Sequence, residues 1–468
     1  QCETPAFDQE GSALPDRMQE FRIERLKEMG CNAYRTSHNP PTPELLEVCD
    51  RLGMLVMDEV RLAGSGPEFT RQLEDLLLRD RNHPSVIIWS IANEEHRIQG
   101  TITGARIARS MKRIVKRLDP TRQVTAAMNN GGEGNGFTDV VDVHGWNYIA
   151  IGNMDEWHKK HPRLPIVGSE EASTLCTRGE YADDPTRGYM CDYDTNAPGW
   201  GRTAEAWWTF YDARPWVAGG FVWTGFDYRG EPTPYEWPCT NSHFGIIDLC
   251  GFPKDNFFYY KSWWTKEPVL HLFPHWNWAG REGQEIDVRC FSNCEAVELL
   301  LNGKSLGRQV VRKNSHVAWK VVYESGMLEA RGFKGGRVIA TAKVETVNES
   351  ANLILTADRT VVRADGEDVS CLTVAATDRK GRPVPIADDV VRFDISGPGR
   401  LIGTGSGDPS THEMDKSPVR RMFNGLCQGI VQTTRQDGDI VVTVRADGRK
   451  PATLKIRARA CRARRVVV

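Results

Sequence analysis

Through the first half of the chain, short apolar runs alternate with stretches whose apolar residues recur at helical spacing. The runs are CNAYRTS (31–37), MLVMDEV (54–60), SVIIWSIANE (85–94), QVTAAM (123–128), VVDVHGWNY (140–148), PIVGSE (165–170) and GGFVWTGFDY (219–228). Their length and near-continuous hydrophobicity predict strands buried on both faces. Between them, Met18, Phe21, Leu26 and Met29 share one face of a helix predicted over 17–29, with Pro15 and Asp16 before its first turn and Gly30 after its last. Further helices are predicted over 43–52, closed by Gly53, and over 68–78, 102–118 and 203–213. Buried strands alternating with amphipathic helices predict a parallel sheet covered by helices.

Polar residues gather at the carboxyl ends of these strands: Arg35 and His38, Asp58 and Glu59, Asn93 and Glu94, Asn147 and Tyr148, Glu170, Trp223 and Asp227. Such a distribution predicts a (β/α)8 TIM barrel with its site at the carboxyl-terminal mouth. A doubly wound open sheet would need a glycine-rich first turn, and none is present. Seven strands are legible. The first strand is apparently missing and is expected before Gly11, where QCETPAFDQE carries no strand pattern. The reading therefore expects unpaired edges on the strands at 31–37 and 219–228, and lower stability and activity than in a chain extended upstream.

Beyond Pro268 short alternating segments appear, separated by Asn-Gly, Gly-Gly and Ser-Gly turns. The predicted organisation is a catalytic barrel over 1–268, a β-sandwich over 269–348 and an immunoglobulin-like β-sandwich over 349–468 that ends in a basic tail, CRARRVVV.

Composition narrows the partners. A formal net charge of −2 gives no reason to expect nucleic acid or an acidic membrane surface. No apolar stretch is long enough to span a bilayer, and the opening residues lack the pattern of a signal peptide. The twelve cysteines are scattered without metal-ligand spacing, and Cys290 and Cys294 read as buried thiols beside a turn. Aromatic residues crowd between Trp200 and Trp278, which suits a large core and equally a sugar site, where pyranose C–H faces stack on rings.

Two segments carry the candidate chemistry. IIWSIANEE places Asn93 and Glu94 directly after a buried strand, and LPIVGSEEAS places Glu170 at the end of another. Hydrolysing an acetal with retention needs two carboxyl groups flanking the glycosidic bond, about 5–5.5 Å apart. The plainer alternative is that both are ordinary strand-end carboxylates capping helices.

RLKEMGCNAYRTSHNPPTPELLEVCDRLGMLVMDEV, RDRNHPSVIIWSIANEE and WTGFDYRGEPTPYEWP, in this order, resemble the core motifs of glycoside hydrolase family 2, above all its β-galactosidase-like members. The resemblance implies hydrolysis of terminal β-D-galactosides by double displacement, with Glu94 as acid/base and Glu170 as nucleophile. It implies that Arg35 holds the nucleophile's charge, that His38 lies near the sugar and that Asn93 bonds the 2-hydroxyl. Tyr148 would donate to Glu170, Trp223 would floor the sugar pocket, and Asp227 would join the substrate-binding set. Glu171 should point to the opposite face of its strand. Asp58 and Glu59 could support the floor, and neither is assigned to a metal; no cofactor is expected. The partner implied is a carbohydrate substrate, with a homo-oligomer left open, in a secreted or periplasmic bacterial setting. No Asn-x-Lys signature of the kind glucuronidases carry stands out, which favours galactose. The alternatives are a β-glucuronidase or other β-glycosidase of the family, and an inactive sugar-binding or scaffold relative.

Overall fold

The computed structural model describes residues 14–130 and 134–462. The expectations placed on the first strand before Gly11 and on the end of the basic tail lie outside the described residues.

Seven parallel strands form one sheet in chain order: β1 (Ala33–Arg35), β2 (Leu55–Glu59), β3 (Val86–Asn93), β4 (Gln123–Met128), β5 (His144–Asn147), β6 (Ile166–Ala172) and β7 (Val217–Trp223). The sheet curls into a nearly closed barrel in which, among the described residues, β1 and β7 meet without forming a ladder. Helices α1 (Asp16–Glu28), α2 (Pro43–Leu52), α3 (Pro67–Asp80), α4 (Ile102–Leu118), α5 (Met154–Lys160), α6 (Ala204–Asp212) and α7 (Asp255–Trp264) alternate with the strands. Local chemistry sets several ends: Thr42, Thr101 and Thr203 accept backbone N–H bonds at the starts of α2, α4 and α6, and Gly53 takes the left-handed turn that ends α2.

Tertiary context corrects the sequence reading at the last strand and accounts for a helix it did not include. The last strand stops at Trp223, and residues 224–228 leave the barrel to bond with 242–247, as in Ile246 N–H to Thr224 O (3.0 Å) and Ser242 N–H to Tyr228 O (2.8 Å). Helix α7 carries no clean polar face because barrel and sandwich cover it together, so its helical period is hidden.

The barrel interior is built in two layers by strand alternation. Ala33, Met57, Ile88, Val143, Val167 and Phe221 form an apolar cluster. Two residues further along their strands stand Arg35, Glu59, Ser90, Ser169 and Trp223, a polar layer nearer the mouth. Register shifts in β3 between Ser90 and Asn93, and in β6 between Gly168 and Glu171, break strict alternation. A bulge of this kind re-aims side chains. Here it turns Asn93 into the mouth and allows both Ser169 and Glu170 to face inward.

Downstream, β8 (Leu270–Phe273), β9 (Glu285–Ser292) and β12 (Val317–Val322) form one sheet. It packs on a second, made of β10 (Ala296–Leu301), β11 (Lys304–Val310), β13 (Met327–Lys334) and β14 (Arg337–Glu345), around Trp276, Val288, Leu299 and Leu328. Residues 352–459 form a further pair of sheets, of four and five strands, around Leu372, Phe393, Val442 and Ile456. This last unit docks on the barrel through a buried cation. Arg178 pairs with Asp248 (2.6 Å) and donates to the carbonyls of Ser406 and Phe423 (both 2.8 Å). No helix among the described residues is long and apolar enough to cross a membrane.

Candidate active site

A cleft of about 470 Å³ opens at the carboxyl end of the barrel. Glu94 and Glu170 both line it, with His38, Asn93, Tyr148 and Trp223. The chain turns sharply at two of these positions: Glu94 and Tyr148 are left-handed, with φ of 50° and 65°. Each such non-glycine residue costs about 1–3 kcal/mol and persists only where its surroundings fix it. Here the Glu94 N–H donates to Ala127 O (2.9 Å) and the Tyr148 N–H to Glu170 O (2.7 Å).

Arg35 is fully buried under the cleft and organises it. Its Nη1 donates to Glu170 Oε1 (2.8 Å) and to Ser169 O (2.9 Å). Its Nε and Nη2 hold Glu59 in a fork at 2.9 and 2.6 Å, and Nη2 also reaches Asn93 Oδ1 at 2.9 Å. With Asn93 Oδ1 occupied in this way, the amide NH2 of Asn93 is the group presented to the cleft. Glu170 Oε2 accepts from the Tyr148 hydroxyl (2.9 Å). Burial, then the charges of Glu170 and Glu94, push the Tyr148 phenol well above its ordinary range, so it remains a donor.

Glu94 sits differently. Its Oε1 accepts from Asn147 Nδ2 (2.9 Å), and His96 Nε2 stands 3.9 Å from its Oε2, with no Arg or Lys ion pair to it among the described residues. Burial first, and the charge of Glu170 second, raise its pKa above the ordinary carboxyl value, against the Asn147 bond. One carboxyl is thus biased towards its proton while the other is clasped by a guanidinium and a phenol.

His38 stacks on Trp223 at 5.3 Å between centroids and 15° between planes. Its Nδ1 lies 2.9 Å from Glu59 Oε1, and its Nε2 is 3.7 Å from Glu170 Oε1. Glu59 therefore serves the floor. Burial alone would raise its pKa, yet Arg35, His38 and Ser90 outweigh that and hold it below the ordinary range. Asp58 faces the other way, taking a bond from Thr36 Oγ1 (3.2 Å), and burial followed by the nearby Asp80 charge raises its pKa strongly.

Asp227 is a correction. It does not line the cleft: it is buried in an ion pair with Lys254 (2.7 Å) and accepts from the Gly245 N–H (2.8 Å). Burial lifts its pKa to about 6, opposed by Lys254. The sequence reading had run β7 through to 228, which aimed Asp227 at the mouth; the turn after Trp223 takes it to a structural pair instead. Conversely, Arg61, Asn129, Ile151, Trp200, Tyr228, Glu231 and Phe244 line the cleft and were not singled out. All of them stand in loops or past strand ends where no period marks them. Asn147 was noted only as a strand-end residue, although its neighbour Tyr148 was assigned.

Glu171 points away from the cleft, towards α6, where Tyr211 OH donates to its Oε1 (2.6 Å) and Ile149 N–H to its Oε2 (3.1 Å). Gly168 makes the approach feasible, since a Cβ there would lie 2.3 Å from the Tyr211 hydroxyl. Burial raises the Glu171 pKa from 4.5 to about 8. Between those values the folded state holds a proton that the unfolded chain releases. This group's stabilisation is therefore full below the unfolded value and is lost as pH rises through the folded one. Glu171→Gln, which mimics the protonated acid, is expected to flatten the fall in thermal midpoint between about pH 5 and about pH 8. Parallel pH profiles for the two proteins would refute this.

The eleven described cysteines are free thiols, Cys290 and Cys294 among the buried ones.

Comparison with known proteins agrees with this geometry. The model of the glycosyl hydrolases family 2 TIM barrel domain matches residues 7–267, and that of the glycoside hydrolase family 2 C-terminal domain 5 matches 353–455. A domain of unknown function matches 283–340. A β-galactosidase of Bacteroides ovatus is 38% identical over 96% of this chain and 60% of its own length. A β-glucuronidase of Formosa agariphila is 28% identical over 96% of this chain and 46% of its own. The crystal structure of a β-glycosidase from Bacteroides vulgatus superposes with a TM-score of 0.86 at 32% identity, covering 96% of this chain and 62% of that one. The chain thus spans about half to three-fifths of the length of these relatives. By the family match over its barrel, this chain belongs to glycoside hydrolase family 2.

Proposed function

We propose that this chain carries the catalytic machinery of a retaining β-galactosidase, with Glu170 as nucleophile and Glu94 as acid/base. The observation that carries the reading is the opposed setting of two carboxyl groups on one cleft: Glu170 is bonded by Arg35 and Tyr148, and Glu94 is raised by burial and by Glu170. In the first step Glu170 attacks the anomeric carbon while Glu94 gives its proton to the departing glycosidic oxygen. The new glycosyl ester removes the negative charge of Glu170, which eases the ionisation of Glu94. Glu94 then takes a proton from the water that attacks the anomeric carbon, and Glu170 leaves as a carboxylate. The Asn93 amide is placed to bond the 2-hydroxyl, and the Trp223 ring, backed by His38, forms the floor.

Galactose as the glycone is supported by the β-galactosidase relative, which at 38% is more similar than the β-glucuronidase at 28%. The stereochemical course tests the reading. Proton NMR of the hydrolysis of an aryl β-D-galactoside should show β-galactose forming first and mutarotating later. Release of the α-anomer first would mean inversion, which needs carboxyl groups about 6.5–9.5 Å apart, and would overturn the assignment.

A further inference from the structure

In a retaining mechanism the acid/base protonates the oxygen of the departing group, so whatever flanks Glu94 on its own side of the cleft faces the aglycone. Two chain segments run beside it there. Past β2, Val60 N–H donates to Ser90 O (3.1 Å), Asn93 N–H to Arg61 O (3.0 Å) and Ala63 N–H to Glu95 Oε1 (2.8 Å). These bonds stitch residues 60–63 along the strand end that carries the acid. Past β4, Asn129 stands just beyond Ala127, whose carbonyl accepts from the Glu94 N–H (2.9 Å).

Arg61 and Asn129 both line the cleft, and both offer it donors alone. Arg61 is exposed, and its guanidinium makes no hydrogen bond or ion pair among the described residues. Arg35 is the contrast, with its donors taken up by Glu59, Glu170 and Asn93. A guanidinium stays protonated and cannot accept a bond. Arg61 is not among the main influences on the Glu94 proton, which are burial, Glu170, Asn147, His96 and Arg35. It therefore stands apart from the acid it flanks. Asn129 has its oxygen filled by Gln99 Nε2 (2.7 Å), which leaves its NH2 as the group free to donate. A neutral aglycone brings hydroxyls that need acceptors as well as donors, whereas an anion needs donors only. We propose that the leaving-group side of the cleft selects an anionic aglycone, whose carboxylate or sulfate is held by the Arg61 guanidinium with the Asn129 amide beside it. The substrate class is then a terminal β-galactosyl unit on an acidic sugar. A guanidinium suits either anion, since its planar fork donates to two oxygens at once.

Because this extends the galactosidase reading, the test measures binding without turnover, so that the two can fail separately. Calorimetry would compare phenyl 1-thio-β-D-galactosides carrying a carboxylate, a sulfate ester or a neutral carboxamide at the meta or para position. Phenyl 1-thio-β-D-glucuronide, whose charge lies on the glycone, completes the set. Wild type is expected to bind an anionic galactoside about 10- to 100-fold more tightly than the carboxamide, and the tighter of the two anions identifies the group read. Arg61→Gln should erase that preference, Arg61→Glu should reverse it, and Arg61→Lys should keep part of it. Anionic and neutral galactosides bound within about threefold of one another by wild type, or a preference that survives in Arg61→Glu, would overturn the proposal and leave the galactosidase reading standing. An effect of Arg61→Gln confined to the glucuronide would put the arginine at the glycone and overturn it equally. A wild type that binds none of the galactosides would overturn both.

Discussion

Glu170→Ala is expected to abolish turnover of aryl β-galactosides, a loss on the order of 10⁵-fold, because both chemical steps pass through its carboxylate. Glu94→Ala should behave differently. A substrate with a good leaving group needs no proton from Glu94 in the first step, so glycosylation survives and the glycosyl ester accumulates. Loss of general acid–base assistance should slow the second step by about 10²–10⁴-fold. Added azide should restore the rate of Glu94→Ala and give β-galactosyl azide, since a small anion can enter the space beside the ester. In Glu170→Ala the same anion can only attack directly and gives the α-azide. Steady-state kinetics with product analysis distinguishes the two, and equal residual activities with the same azide product would remove the division of labour proposed here.

The second large effect belongs to Arg35. Its guanidinium serves Glu59, Glu170, Ser169 O and Asn93 Oδ1 together, from a position with no solvent exposure. Lysine keeps the charge but has a single nitrogen on a flexible stem, so it cannot fork to Glu59 and reach the other acceptors at once. Arg35→Lys should lower kcat/KM by about 10³-fold, through a displaced nucleophile and a freed Asn93 amide. Arg35→Ala should also destabilise the fold by roughly 3–5 kcal/mol, because two buried carboxylates lose their counter-ion. Kinetics and denaturant midpoints on the two variants read these effects separately. An Arg35→Lys enzyme within tenfold of wild type would show that the network does not position the reaction.

Much of this site was legible because barrel strands write it at their ends. Arg35, Glu94, Tyr148 and Glu170 each follow an apolar run, and the alternation within SEEA set Glu170 inward and Glu171 outward. Helices with a solvent face, such as α4, were legible to the residue, whereas α5 is too short to show a period. What stayed hidden depends on tertiary placement. The bulges in β3 and β6 leave no trace in hydrophobicity, yet they bring Asn93 inside and let Glu170 face inward beside Ser169. Asp227 looked like one more strand-end acid until the turn after Trp223 delivered it to Lys254. Glu231 sits in a loop whose conformation is fixed by Asp415, a residue far along the chain, and no local pattern encodes that contact.

The central claim is that Glu170 forms the covalent intermediate, and trapping that intermediate tests it most directly. A 2-deoxy-2-fluoro-β-galactosyl fluoride destabilises both transition states but carries a leaving group good enough for the first step to proceed, so the glycosyl-enzyme accumulates. Mass spectrometry of the digested protein should find one fluorogalactosyl group on the peptide containing Glu170, with fragmentation placing it on that residue. A label on Glu94 or Glu171, or a protein that remains unlabelled after prolonged incubation, would contradict the account.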